Sequence, residues 1–190
     1  MKKIIKVLFL TVLVFLTINI VFSIGFASED SSKILLTSVG QSPDARMIDV
    51  LAKKYQLPMD YQQLAQPDMV KNYKIAIIVV GGSSKGLGAA GIDKEQELER
   101  AAALIKEIKD RKIKLLVMHI GGDARRGILS DLFLDAVTPY ADHFIIVESG
   151  NMDNYFTLIS KEKEIPLEMV DKILETGELL QKYFQNNLGE

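Results

Sequence analysis

The sequence contains no cysteine. No disulfide can staple the fold and no lipid can be attached through a cysteine thiol, so the domain must be held by its core alone. Histidine is nearly absent too, with His119 and His143 far apart and the acids scattered, so neither a thiolate and imidazole set nor an acidic loop is available and no metal is expected. No basic stretch interleaved with aromatics occurs either, and the formal net charge is −2, a poor balance for binding nucleic acid. Charge of either sign is missing altogether from Val7 to Ser28.

That uncharged run follows the lysine-rich start MKKIIK and ends among small residues at Gly25 and Ala27. Basic start, apolar middle and small residues together read as a signal peptide over residues 1–27, cleaved after Ala27. The apolar stretch, residues 7–26, is also long enough to cross a bilayer, so a retained membrane anchor is the alternative. Either way the location is extracytoplasmic, secreted or membrane-anchored. Removing residues 1–27 takes three lysines and no acid, so the remaining domain is more acidic than the whole chain. Residues 28–32 read as a disordered lead-in and residues 33–186 as a single α/β domain, a length that supports one proper core.

What is present is organised around Ile75 to Asp93, IAIIVVGGSSKGLGAAGID. The six uncharged residues from Ile75 suit a strand buried on both faces, and the glycines that follow permit close backbone approach and the start of a helix. Before it, Ile34–Val39 reads as a strand, Ser42-Pro43-Asp44 as a helix start with Met47, Val50 and Leu51 on the apolar face, and Met59–Leu64 as a weak edge strand. Pro67 to Tyr73 leaves room only for a short helix or turn. After it, Asp93 and Gln96 form a capping-box pattern ahead of Leu98, Ala101, Ala102, Ile105 and Ile108 at helical spacing. Strands are expected at Ile113–Ile120 and Phe144–Val147, and helices near Ile128–Tyr140, Tyr155–Lys163 and Pro166–Phe184, the last one broken by Gly177. Apolar strands alternating with helices predict an α/β fold in three layers, with a five-stranded parallel sheet of flavodoxin-like (Rossmann-like) order 2-1-3-4-5.

In such a sheet, ligands bind beyond the carboxyl ends of the strands. Three loops expected there share one pattern: glycine at the strand end, a small polar residue, then a cation. Gly40, Ser42 and Arg46 form the first set, Gly81, Gly82, Ser83 and Lys85 the second, and Gly121, Gly122, Arg125 and Arg126 the third. Cations on adjacent loops, beside helix N-termini and glycine N–H groups, predict a site for a small anionic ligand such as a carboxylate or phosphate. The plainer alternative is that the arginines brace the loops against Asp44, Asp123 or Glu148.

Two motifs compete with that reading. Gly86-Leu87-Gly88-Ala89-Ala90-Gly91 matches the dinucleotide fingerprint, but it starts five residues beyond the strand end and no ribose-binding acid follows at the right distance, so no cofactor is expected. Gly82-Ser83-Ser84-Lys85-Gly86 matches the nucleophile elbow, which would make Ser84, with His119 or Asp123, the catalytic candidates of a serine-type hydrolase. His143 should enter its strand from the opposite edge, and His119 beside a strand core reads as a buried, hydrogen-bonded histidine. A protein-interaction module using the same rim is the remaining alternative.

The stretches ILLTSVGQSPDAR, IAIIVVGGSSKGLGAAGID and MHIGGDARRG, placed behind a signal segment, resemble an uncharacterised domain-of-unknown-function family of exported bacterial proteins, over roughly Lys33 to Phe184. The resemblance implies an exported domain and assigns no role to any residue.

Overall fold

The structure, a computed structural model, describes residues 34–188. The signal segment and the lead-in lie outside the described residues. Six strands, β1 (Ile34–Val39), β2 (Met59–Tyr61), β3 (Ile75–Val80), β4 (Lys114–His119), β5 (His143–Val147) and β6 (Leu167–Val170), form one sheet in the order β2-β1-β3-β4-β5-β6. Every pairing is parallel, with Ile34 level with both Met59 and Ile75, and Ile75 level with Lys114. The connecting helices are α1 (Asp44–Lys54), α2 (Ser84–Ala90), α3 (Lys94–Asp110), α4 (Ile128–Val137), α5 (Tyr155–Lys163) and α6 (Thr176–Leu188).

Successive strand residues point to opposite faces, so each central strand feeds two cores. Leu35, Ile78, Val117 and Phe144 pack with Leu104 and Ile108 of α3, Phe133 of α4 and Phe156 of α5. Ile34, Ile77, Met118 and Ile145 pack on the other face with Ile48 and Leu51 of α1 and with Leu180 and Phe184 of α6. All six residues of β3 are fully buried, and each large one contributes about 1.5–3 kcal/mol by leaving water. Residues 34–188 lie in one compact unit, and both cores lie inside it.

The α/β class, the parallel sheet and the order of its first five strands are as expected from the sequence. The sixth strand is not. Residues 167–170 were expected inside a helix, but Leu167-Glu168-Met169-Val170 adds to β5 as a half-exposed edge strand and α6 starts only at Thr176. Gly177 does not break that helix; it lies in its first turn, where a Cβ would stand 2.2 Å from Cε2 of Tyr55. In α1 the buried face is Ala45, Ile48, Leu51 and Ala52, which leaves the expected core residues Met47 and Val50 exposed. The capping box of α3 forms as expected: Gln96 N–H donates to Asp93 Oδ1 at 2.8 Å and Asp93 N–H to Gln96 Oε1 at 3.0 Å.

Candidate functional site

Because all strands are parallel, the loops after β1, β3, β4 and β5 share the carboxyl edge, and the chain reverses its direction of travel across the sheet between β1 and β3. The first two glycine loops spend their backbone groups on each other. Ser42 N–H donates to Gly81 O at 3.0 Å, Ser83 N–H to Gly40 O at 2.8 Å, and Gln41 bridges to Gly82. A Cβ on Gly40 would sit 2.5 Å from Gly81 O, and one on Gly86 only 1.9 Å from Gln41 O. The close approach that the glycines permit is therefore between two loops of the same chain. The fingerprint GLGAAG is mostly helical: Ser83 Oγ caps α2 by accepting from Gly86 N–H at 3.0 Å, and Gly91 ends it at φ +71°.

A group that sequence reasoning missed holds the first loop from below. Glu97 is a fully buried carboxylate in the first turn of α3, accepting from Gly40 N–H and from Gln41 Nε2, both at 2.8 Å. Arg100 neutralises it, with Nε 2.7 Å from Oε2 and Nη2 2.9 Å from Oε1, and also donates to the carbonyls of Ser38 and Ala65. Gln41, at φ +58°, is kept in a left-handed conformation within this network.

The cations do not form one unpartnered cluster. Arg46 places Nη1 2.8 Å from Asp49 and lies over the Tyr61 ring. Arg125 covers Gly121 and stands 3.6 Å from Asp44 Oδ1, and Asp44 is buried with its Oδ2 unpartnered. Arg126 binds Asp131, both oxygens of Asp153, and the carbonyl of Gly150. Burial opposes the charge on Arg126, but its hydrogen bonds to Asp153 and Asp131 outweigh this and raise its pKa; the same bonds hold Asp153 below the usual carboxylate range. Lys85 is exposed, with no hydrogen bond or ion pair among the described residues. All three arginines thus have acidic partners, and for Arg125 the partner is Asp44, one of the acids named in the bracing alternative. Their acidic partners follow within five residues or come from other segments at the same edge of the sheet.

The hydrolase candidates are not brought together. Ser84 is an exposed first residue of α2, Asp123 is exposed with Oδ1 turned to the N–H of Ala124, and His119 is fully buried. His119 Nδ1 lies 2.9 Å from Val80 O and Nε2 3.3 Å from Gly122 O, with the ring stacked on Phe156. Burial pushes its pKa below the ordinary value despite those two carbonyls. His143 begins β5 at the opposite edge, 3.0 Å from Glu168, as its position in the sequence implied. Among the described residues no group of acids and histidines could hold a metal ion.

An open space at the carboxyl edge lies on the α1 face. It is a cleft of about 740 Å³ floored by Ile120, Val147 and Leu51 and walled by Met47, Val50, Ile173 and Leu174. Gly121 and Gly122 border it with their backbone, and Arg46, Ser149, Asp171 and Lys172 supply its polar margin. Of the residues expected to bind ligand, Arg46, Gly121 and Gly122 reach this cleft; Gly40, Ser42, Gly81, Gly82, Ser83, Lys85, Arg125 and Arg126 do not line it. Met47 and Val50, three apart on α1, were the sequence signal for it, hidden because apolar residues at helical spacing read as core.

Fold and cleft define a doubly wound α/β domain with an open groove outside the carboxyl ends of its strands. Residues 31–184 match the family described as a domain of unknown function, DUF6305, and the chain belongs to that family. No protein of curated description matches the chain. Among solved structures, two variants of the esterase AlinE4 align at 13% and 11% identity, covering 82% and 77% of this chain and 93% and 79% of theirs, each with a TM-score of 0.31. AlinE4 itself, an SGNH-hydrolase family esterase, aligns at 11% identity over 75% of this chain and 76% of its own, with a TM-score of 0.30. Likenesses this distant carry no argument about the present chain.

Proposed function

We propose that the protein is an exported domain that binds a small amphiphilic anion in the carboxyl-edge cleft. The apolar body of the ligand lies against Met47, Val50, Ile173 and Leu174, and its carboxylate or phosphate faces Arg46 and Lys172. The observation that carries this reading is the cleft: about 740 Å³ at the sheet edge where α/β domains take ligands, lined by apolar side chains that folding leaves in water. Val50 is 58% and Leu174 65% exposed, contacts that a bound ligand would complete. The anionic preference rests on Arg46, whose Nη1 alone is engaged by Asp49, and on Lys172, 3.9 Å from Asp171 at the margin.

The test is a thermal-shift and calorimetric series with straight-chain carboxylates and alkyl phosphates of increasing length, against inorganic phosphate. Affinity should rise with chain length, and a ligand at 100 times its Kd should stabilise the fold by about 2.7 kcal/mol. Val50→Asp should abolish binding, and Arg46→Ala should weaken it about fivefold, a modest loss because that side chain is exposed. Stabilisation by inorganic phosphate alone, removed by Lys85→Ala, would overturn the cleft reading in favour of the glycine rim.

A further inference from the structure

The opposite edge of the sheet carries a second cavity, of about 560 Å³, between the amino ends of β4, β5 and β6 and the last turns of α3 and α6. Lys109, Lys112, Lys114 and Lys182 line it together with His143, and among the described residues only Asp142 and Glu168 oppose them. With His143 neutral that is an excess of two positive charges in one cavity, on a chain whose formal net charge is −2.

Lysines in the last turn of a helix are ordinarily accounted for by the negative end of the helix dipole, and Lys109, which closes α3 and pairs with Asp142 at 2.7 Å, needs no other explanation. The other three exceed that account. Lys182 lies in the middle of α6, more than a turn from its end, and has no ion pair among the described residues. Lys112 follows α3 in the left-handed conformation, φ +57°, where glycine is the favoured residue, and it too has no acidic partner among the described residues. Lys114 opens β4 and donates to the side-chain oxygen of Asn187, a neutral acceptor. His143 is occupied by Glu168 and stacks obliquely on Tyr183, which leaves the lysines as the groups facing the open space.

We propose that this amino-edge cavity binds a phosphate-bearing group, held by Lys112, Lys114 and Lys182. A further feature of the fold favours an anionic phosphate over a neutral ligand. The same edge also receives Lys53 and Lys54 from α1 and Lys161 and Lys163 from α5, which widen the basic surface around the cavity. Both a phospholipid headgroup and a soluble phosphate fit this chemistry.

The experiment uses the chain from Ser28, which keeps the whole unit that contains both cores. One arm measures flotation with vesicles of phosphatidylglycerol and phosphatidylcholine against phosphatidylcholine alone; the other measures melting with inorganic phosphate against chloride at equal ionic strength. Lys112→Gly and Lys182→Ala should each weaken binding about fivefold, whereas Lys94→Ala, the same charge change at the far edge, should leave it within about twofold. Lys112→Gly keeps its turn without a Cβ penalty, so the loss would not reflect unfolding. Lysine-dependent binding to anionic vesicles assigns the phosphate to lipid, and a lysine-dependent shift with phosphate alone assigns it to a soluble anion. Binding in neither arm, or binding equally reduced by Lys94→Ala, overturns the proposal.

Discussion

Glu97 is the residue on which the carboxyl edge depends. Its side chain is fully buried and that of Arg100 nearly so, and between them they satisfy Gly40 N–H, Gln41 Nε2 and the carbonyls of Ser38 and Ala65. Removing one partner of such a pair leaves a charge buried without compensation, which costs far more than the intact pair contributes. Glu97→Ala is expected to destabilise the domain by about 3–5 kcal/mol in urea unfolding, and Arg100→Ala by a similar amount, with the double variant well short of their sum. A cost under about 1 kcal/mol for either single change would show that the pair is not what holds the Gly40 loop. In the sequence, Glu97 and Arg100 look like one more exposed i,i+3 pair on a charged helix, because nothing in the spacing says that a loop from 57 residues earlier will close over them.

At the scale of elements, α2 contains two glycines of unlike meaning. A Cβ at Gly86 would fall 1.9 Å from the carbonyl oxygen of Gln41, while one at Gly88 would meet nothing within 4 Å. Gly88→Ala should therefore stabilise the protein by about 0.5–1 kcal/mol through helix propensity, and Gly86→Ala should destabilise it, because backbone must move. Paired melting curves decide this, and equal effects at the two positions would refute the packing account. The edge strands show why elements at the margin were hard to read. β2 covers only Met59–Tyr61 of the longer stretch expected, and the residues of β6 read as helix in the sequence, since both strands carry mixed polarity on half-exposed faces. Central strands, buried on both sides, announce themselves as uninterrupted apolar runs.

For the whole molecule, parallel strands separate two edges: an apolar cleft outside the carboxyl ends, and a lysine-lined cavity at the amino ends. Export is expected from the lysine-rich start and the small residues at Gly25 and Ala27, and N-terminal sequencing of protein from outside the cytoplasm should find Ser28 first. An intact Met1 in a membrane fraction would instead establish the anchored form.

The sequence by itself determined the α/β class, the parallel central strands, the capping box of α3 and the edge on which Gly40, Gly81 and Gly121 meet. Those features depend on local periodicity and on residues within a few positions of one another. Only the tertiary structure decided what the glycines approach, which acids Arg46, Arg125 and Arg126 take as partners, and that Met47 and Val50 face a cleft instead of the core. These depend on which side chains a distant loop or helix brings within a few ångströms, and both Coulomb attraction and burial are settled at that range.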